Sequence, residues 1–233
     1  MLSFLYTLAV KPLELIFEII YVIAYRVTDS HGLTLICLSL AVNLLALPLY
    51  MKADEIQARE REKEKKLAPW TKHIKTHFDG DERFMMLQAF YRENDYSPLN
   101  SLNSALPLLL QVPFFIAAYH FLSNLSLLKG ASFFILGDLG NADGLLTLGG
   151  TAINVLPIIM TVINIVSAVV YAGNTSLKDQ IQLYVMALVF LILLYPSPSG
   201  LVFYWILNNV FSLVKNLVMV MRTKGQESVK KAA

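Results

Sequence analysis

The sequence predicts an all-α polytopic membrane protein with five transmembrane helices. Its 233 residues are 56% hydrophobic, whereas an ordinary soluble domain is roughly 45–50% apolar. The apolar residues lie in long runs, and a bilayer core needs about 20 mostly apolar helical residues. Within a core covering residues 31–222, the predicted spans are 33–51, 102–122, 152–172, 181–195 and 199–221.

The second span, 102–122, carries two prolines and an amide in an otherwise apolar helix. Pro107 and Pro113 flank Gln111, and His120 lies near the far end. A proline frees backbone groups that a neighbouring helix or water must satisfy, and a buried amide needs a partner. We therefore expect this span to face protein or water on one side.

The N-terminal segment 1–30 predicts an amphipathic helix at the membrane interface. Lys11, Glu14, Glu18 and Tyr25 fall on one helical face, and the other face is apolar. The alternative is a short extra span with its glutamates turned inward, which is disfavoured because unpaired carboxylates are costly in lipid. No small-residue cleavage site follows a short apolar core, so we expect no cleaved signal peptide.

Polar residues recur at helical spacing inside the spans. Ser39 and Asn43 lie one turn apart in the first span, and Asn164 and Ser167 share a face of the third. Such residues either bond to neighbouring helices or line a wet cavity. Further candidates of the same kind are Thr161 in the third span and Asn208 in the fifth.

Residues 52–98 predict a charged helical hairpin between the first two spans. A helix-forming charged stretch leads into an apolar stripe through Trp70 and Ile74. A turn at Gly80 follows, and a second stripe runs through Phe84 and Leu87. A solvated charge run that merely spaces two spans would explain the charge but not the paired stripes.

The fourth span, 181–195, is short for a membrane helix. Its 15 residues reach only about 22 Å, whereas a bilayer core is about 30 Å thick. Either the helix continues through Gln180 and Gln182, or the membrane is thinner locally. The PSPSG sequence that follows predicts a forced turn.

No catalytic, cofactor or metal site is predicted. His73 and His77 have the spacing of a zinc helix, but a third ligand is not in view. Asp138 and Asp143 are interpreted as loop and turn residues, because their setting is Gly-rich. No nucleophile–base pair or phosphate loop is recognisable, so an enzyme is not expected.

The placement of basic residues predicts the orientation. Ten of the 19 Lys and Arg lie in the hairpin from Lys52, one is Lys178, and five lie from Lys215 onward. Because Lys and Arg concentrate on the cytoplasmic side, the hairpin and the short polar tail 223–233 are expected inside. Five spans then place the N-terminus outside the cell.

Four motifs in the same order and spacing resemble the YidC-type membrane protein insertases, in their compact bacterial form. They are ALPLLLQVPFFIAAYHFL in the second span, FFILGDLGNADG in the outer loop, NVLPIIMTVINIVSA in the third span and PSGLVFYWILNN in the fifth. We expect no large extracytoplasmic domain before the core, as in the compact form of the family, and no lipoprotein-type signal of the kind that many compact members have.

The resemblance implies an insertase and chaperone of the bacterial cell membrane. Its five-helix core would hold a polar groove, open to cytoplasm and lipid, that receives newly made membrane segments. It implies that Ser39, Gln111 and Trp205 match groove positions, and that Asn43 stands where the family has an arginine. It also implies contacts of the hairpin with ribosome, translocase or targeting factors.

Two other functions compete with insertion. A dedicated assembly subunit for one membrane partner is compatible with the loss of the groove cation at Asn43. A transporter of small solutes or lipids is disfavoured, because neither an inverted repeat nor a charged ion site is evident in the spans. Direct sequence-specific nucleic-acid binding is not expected at a net charge of +2.

Overall fold

A computed structural model describes residues 6–97, 106–172 and 177–232, and these are mostly helical. A π-helical turn at Tyr6–Val10 leads into the first α-helix. The α-helices are α1 Lys11–Thr28, α2 His31–His77, α3 Gly80–Glu93, α4 Leu106–Ser123, α5 Val155–Ala172, α6 Leu177–Leu194 and α7 Ser199–Ala232. A 3₁₀ turn spans Ser126–Leu128, and two short strands are β1 Leu146–Leu148 and β2 Thr151–Ile153.

Apolar helices lie in all five predicted spans. His31–His77 and Ser199–Val218 are long and apolar enough to cross a membrane. Leu109–Ser123, Val155–Ser167 and Tyr184–Leu194 are shorter apolar helices. The mostly helical class is thus confirmed, and the number of membrane crossings stays a prediction. Residues 102–105 of the second predicted span and residue 98 of the predicted hairpin lie outside the described residues.

The first span does not end where the charged segment begins. α2 continues for 47 residues through Pro48 and Pro69. A proline removes one backbone hydrogen bond, and the charged stretch after it has strong intrinsic helix propensity and favourable (i, i+4) pairs such as Glu55 with Arg59. The predicted boundary between span and hairpin arm therefore lies inside a single helix.

The third span begins three residues later than predicted. β1 and β2 pair antiparallel, with Thr147 opposite Ala152 and Leu148 opposite Thr151. Gly149 and Gly150 between them both have positive φ, which a tight hairpin turn requires. Because Thr151–Ile153 belongs to this hairpin, the helix starts at Val155.

The last two helices are longer than their predicted spans. α6 begins at Leu177 and has 18 residues, which gives about 27 Å at 1.5 Å per residue. The helix therefore continues through Gln180 and Gln182, the first of the two alternatives. The turn predicted at PSPSG is confirmed at residues 195–198, and α7 then continues through the predicted polar tail to Ala232.

The described chain divides into two compact units, Leu45–Phe115 and the remainder. In the larger unit α1 buries Phe17, Tyr21 and Ala24 on one face. Phe17 contacts Tyr204 of α7 with 5.8 Å between ring centroids, and Tyr21 contacts Phe121 of α4 at 5.9 Å. These aromatic contacts join the N-terminal helix to the second and fifth predicted spans. Its location at a membrane interface stays a prediction.

In the smaller unit the two predicted apolar stripes are only partly covered. Ile74 is buried, but Trp70 and Phe84 are 63% and 67% exposed. A pair of helices without a third layer leaves much of each stripe uncovered, and the packing of residues 52–98 as a hairpin stays a prediction. Partial burial and the charges of Glu64 and Glu60 on α2 raise the pKa of Tyr96, which follows α3.

Candidate functional site

Three predicted polar residues meet between α2 and α7. The Ser39 hydroxyl donates to Oδ1 of Asn208 over 2.7 Å, and Nδ2 of Asn43 donates to the same oxygen over 2.5 Å. Ser39 and Asn43 reach it together because residues four apart share one face of a helix. We call Ser39, Asn43 and Asn208 the amide cluster.

The amide cluster is internally hydrogen-bonded, and two of its members remain partly accessible. Nδ2 of Asn43 also donates to the Ser39 backbone carbonyl over 2.8 Å. Ser39 is 1% exposed, whereas Asn43 and Asn208 are half-buried. An unpaired amide in hydrocarbon would cost several kcal/mol, and this pairing removes most of that cost. The cluster carries no net charge, so it offers a substrate hydrogen bonds and not an ion pair.

The other four predicted residues have different surroundings. Thr161 donates to the Pro157 carbonyl of its own helix over 2.8 Å. Asn164, one turn further on α5, is half-buried. Trp205 is buried, and its ring lies 6.0 Å from Phe190 of α6 and 5.9 Å from Tyr204.

Gln111 belongs to the smaller unit, where it is half-buried on α4. The structure thus brings together three of the seven predicted residues. The assignment of all seven to a substrate groove stays a prediction.

A second polar contact between spans, from Asn216 to Ser167, was not predicted from the sequence. Nδ2 of Asn216 on α7 donates to the Ser167 hydroxyl on α5 over 3.5 Å, and both residues are 9% exposed. The spacing of eight residues from Asn208 to Asn216 was a usable signal, because it places both amides within about 80° on α7. α7 therefore makes polar contacts with two helices at two levels.

The loop before β1 is fixed to the start of α7. The Ser199 hydroxyl donates to the Asp138 carbonyl over 2.7 Å, and the Gly200 amide donates to the Leu139 carbonyl over 2.9 Å. The Asp138 carboxylate accepts from the Gly140 and Gly130 amides and from Asn141. These hydrogen bonds, led by the one from Gly140, lower the pKa of Asp138. Leu128, Leu136 and Leu139 of this region are buried.

Asp143 caps the N-terminus of α5. Its Oδ2 accepts from the Val155 amide over 2.6 Å and from the Leu156 amide over 3.4 Å. A carboxylate at this place satisfies free amides of the first helical turn. Both outer aspartates therefore bond to backbone, which confirms their interpretation as loop and turn residues.

His73 and His77 lie side by side on the exposed part of α2, with 4.0 Å between ring centroids. Nδ1 of His77 is 2.9 Å from the His73 carbonyl oxygen. Among the described residues, no group of three or more His, Cys, Asp or Glu side chains could hold a metal ion.

Glu14 of the predicted interfacial helix has partners within the protein. Its Oε1 accepts from the Tyr6 hydroxyl over 2.6 Å and lies 2.8 Å from Nδ1 of His120 on α4. The glutamate side chain is only 19% exposed. The helical spacing identified Glu14 as polar, but a partner 106 residues away could not be found from spacing.

Comparison with known proteins places the chain among membrane proteins. The family model described as 60Kd inner membrane protein matches residues 23–227. A protein of Treponema denticola named membrane protein insertase YidC is 28% identical over 225 residues, which cover 89% of this chain and 37% of that protein. A protein of the same name from Wolinella succinogenes is 30% identical over 233 residues, covering 97% of this chain and 39% of that protein.

A solved structure has a similar fold. It is described as an active YidC insertase crystal structure with the first transmembrane domain resolved, and it matches with a TM-score of 0.53 and 24% identity. The match covers 90% of this chain and 45% of that chain. The chain thus spans less than half the length of these relatives.

Proposed function

We propose that this chain, which belongs to the 60Kd inner membrane protein family, is a membrane protein insertase and chaperone. The observation that carries the proposal is the amide cluster, a hydrogen-bonded polar group set between two long apolar helices. Because Asn43 and Asn208 are also only half-buried, the amide cluster keeps polar groups within reach of a membrane segment that passes beside these helices.

The amide cluster would serve a substrate by lowering the cost of its polar flank. A newly made membrane segment enters with backbone and flanking polar groups that lipid cannot satisfy. The half-buried Asn43 and Asn208 offer exchangeable donors and acceptors while the segment moves into lipid. Burial of its apolar surface supplies the driving force, roughly 25 cal/mol per Å², and no covalent step is required.

Five membrane crossings and a cytoplasmic hairpin complete the proposal. The five apolar helices would supply the crossings, and the three shorter ones, α4, α5 and α6, have 18 residues each, which gives about 27 Å at 1.5 Å per residue. Ten Lys and Arg between Lys52 and Arg92 support a cytoplasmic location for residues 52–98, and with five crossings the N-terminus would lie outside. The exposed Trp70 and Phe84 give that hairpin an apolar surface for ribosome, translocase or targeting factors.

The substrate groove would include Ser39, Asn43, Gln111, Thr161, Asn164, Trp205 and Asn208. At the family's arginine position Asn43 makes the amide cluster neutral, so we expect weakly charged or specialised substrates. A dedicated assembly subunit for one partner would also have a neutral amide cluster. The number of different substrates that crosslink to it distinguishes general insertion from assembly of one partner.

Crosslinking in reconstituted vesicles tests the proposal. A photoreactive amino acid replaces Asn208 or Gln111, and several single-span proteins are synthesised in the presence of the vesicles. Ile192 of α6, which is apolar and 67% exposed, is the matched control position. We expect adducts with several substrates from positions 208 and 111, more than from 192, together with protease-protected insertion.

Two results would contradict insertion. Adducts with one membrane protein alone would support the assembly subunit. The other result is equal amounts of adduct from positions 208 and 192, with no more protease-protected substrate than in empty vesicles. That result would contradict contact between the amide cluster and an inserting substrate.

A further inference from the structure

The outer loop between α4 and β1 contains a tight turn, Phe133–Leu136, whose two central residues are apolar and exposed. The Phe133 amide donates to the Leu136 carbonyl and the Leu136 amide to the Phe133 carbonyl, both over 2.9 Å. Leu136 is buried, whereas Phe134 and Ile135 are 93% and 72% exposed. The turn therefore holds its flanking residues against the protein and points its tip outward.

The backbone of this turn is unfavourable for the residue that it carries. Phe134 has a φ of +52°, the left-handed region that a bulky side chain rarely adopts. With φ positive at its first central residue, the turn is of the kind in which glycine is usual. A strained backbone and an exposed aromatic ring are both costs in water, so the tip needs a compensating contact.

The position of the turn identifies the surroundings of the tip. The Phe133 ring lies against Gly32, where an added Cβ would overlap it, and its centroid is 5.6 Å from that of Phe203. Gly32 is the second residue of α2 and Phe203 the fifth of α7, so both lie near the N-terminal ends of the two helices long enough to cross a membrane. The turn thus stands at the level where both helices would enter the membrane from outside.

Aromatic and branched apolar side chains are favoured at that level. The membrane–water interface accepts aromatic rings, while the hydrocarbon just below it accepts Ile and Phe. The first residue of the apolar run in α2, Leu33, is itself 43% exposed beside Gly32. Exposed apolar side chains are therefore present both at the tip of the turn and at the start of the apolar run in α2.

We propose that Phe134 and Ile135 form a lipid anchor that inserts into the outer interface of the bilayer. The anchor has a rigid base, because the loop is tied to α7 through Ser199 and Gly200 and is internally fixed by Asp138. It holds the loop against the outer ends of α2 and α7. The anchor does not depend on substrate insertion, so it can hold even where the proposed function fails.

Site-directed spin labelling in vesicles of phosphatidylethanolamine and phosphatidylglycerol tests the anchor. The free Cys37 is first changed to Ser, and single cysteines are then introduced by Phe134→Cys, Ile135→Cys and the control Ala142→Cys. Ala142 is exposed in the same outer loop but outside the turn. We expect labels at 134 and 135 to be more accessible to oxygen than to a water-soluble nickel complex, and the label at 142 to show the reverse.

Two outcomes would overturn the anchor. Nickel accessibility at 134 and 135 equal to that at 142 would place the tip in water. Spin–spin broadening at 134 that disappears on dilution with unlabelled protein would place a second copy of the chain on the tip. Because both side chains are exposed, labelling should leave the midpoint of thermal unfolding in detergent unchanged. The accessibilities measured at 134 and 135 should also agree with each other.

Discussion

Oδ1 of Asn208 on α7 accepts hydrogen bonds from both Asn43 and Ser39 on α2. One amide oxygen thus joins the first and fifth predicted spans, although Asn43 and Asn208 are 165 residues apart along the chain. This contact makes Asn43 part of a neutral, internally bonded group.

On the proposed insertase function, Asn43→Arg should widen the substrate range toward acidic tails. The guanidinium keeps hydrogen-bond donors near Asn208 and adds a positive charge. An attraction of about 1 kcal/mol, as expected for a hydrated site, corresponds to roughly fivefold more insertion of a substrate with an acidic tail. The measurement compares protease-protected insertion of acidic and neutral tails by variant and wild type. Asn43→Gln is the matched uncharged control, and equal ranges for all three proteins would argue against the charge.

Asn43 and Asn208 should be energetically coupled. In a double-mutant cycle with Asn43→Ala and Asn208→Ala, we expect a coupling of about 1 kcal/mol, as for hydrogen bonds between membrane helices. Unfolding in mixed detergent micelles measures it. Thr161→Ala is the control, because its hydroxyl bonds to its own helix, and its coupling to Asn208→Ala should be near zero. Additive effects of the two asparagine variants would contradict the contact.

Gly200→Ala should destabilise the junction between the outer loop and α7. An added Cβ would lie 2.9 Å from the Leu139 carbonyl oxygen and 3.2 Å from Leu128 Cδ1. Overpacking of this kind costs about 1–3 kcal/mol. Gly137→Ala is the matched control, because its Cβ would have no atom within 4 Å. Thermal unfolding in detergent compares them, and equal midpoints for the two variants would disprove the close packing.

The outer loop should lose stability in acid through Asp138. Since the pKa of this carboxyl lies below its ordinary value of 3.8 in the folded chain, the unfolded chain takes up the proton first as pH falls. The contribution of Asp138 is therefore present above about pH 3.8 and is lost as pH falls through the lowered pKa. Hydrogen exchange of the Gly130 and Gly140 amides between pH 6 and 3 measures this loss. Asp138→Asn should show a weaker dependence, and parallel curves for both proteins would refute it.

The sequence by itself determined the helical class, the apolar segments and the chemical character of the cluster. Helical spacing placed Ser39 and Asn43 on one face, since side-chain direction in a helix depends only on residue number. Apolar length likewise located the five candidate spans. The helix breaks near Gly80 and at PSPSG were also predictable, because the backbone preferences of glycine and proline act within a few residues.

Only the tertiary structure decided which polar residues meet. The partners of Asn43, Ser167 and Glu14 lie on distant helices, at Asn208, Asn216 and His120. Helical spacing gives the face of each residue but not the rotation and level at which two helices pack. Those depend on the whole set of side chains between them, so the amide cluster and the exposed Phe134 tip became visible only when the helices and loop were assembled.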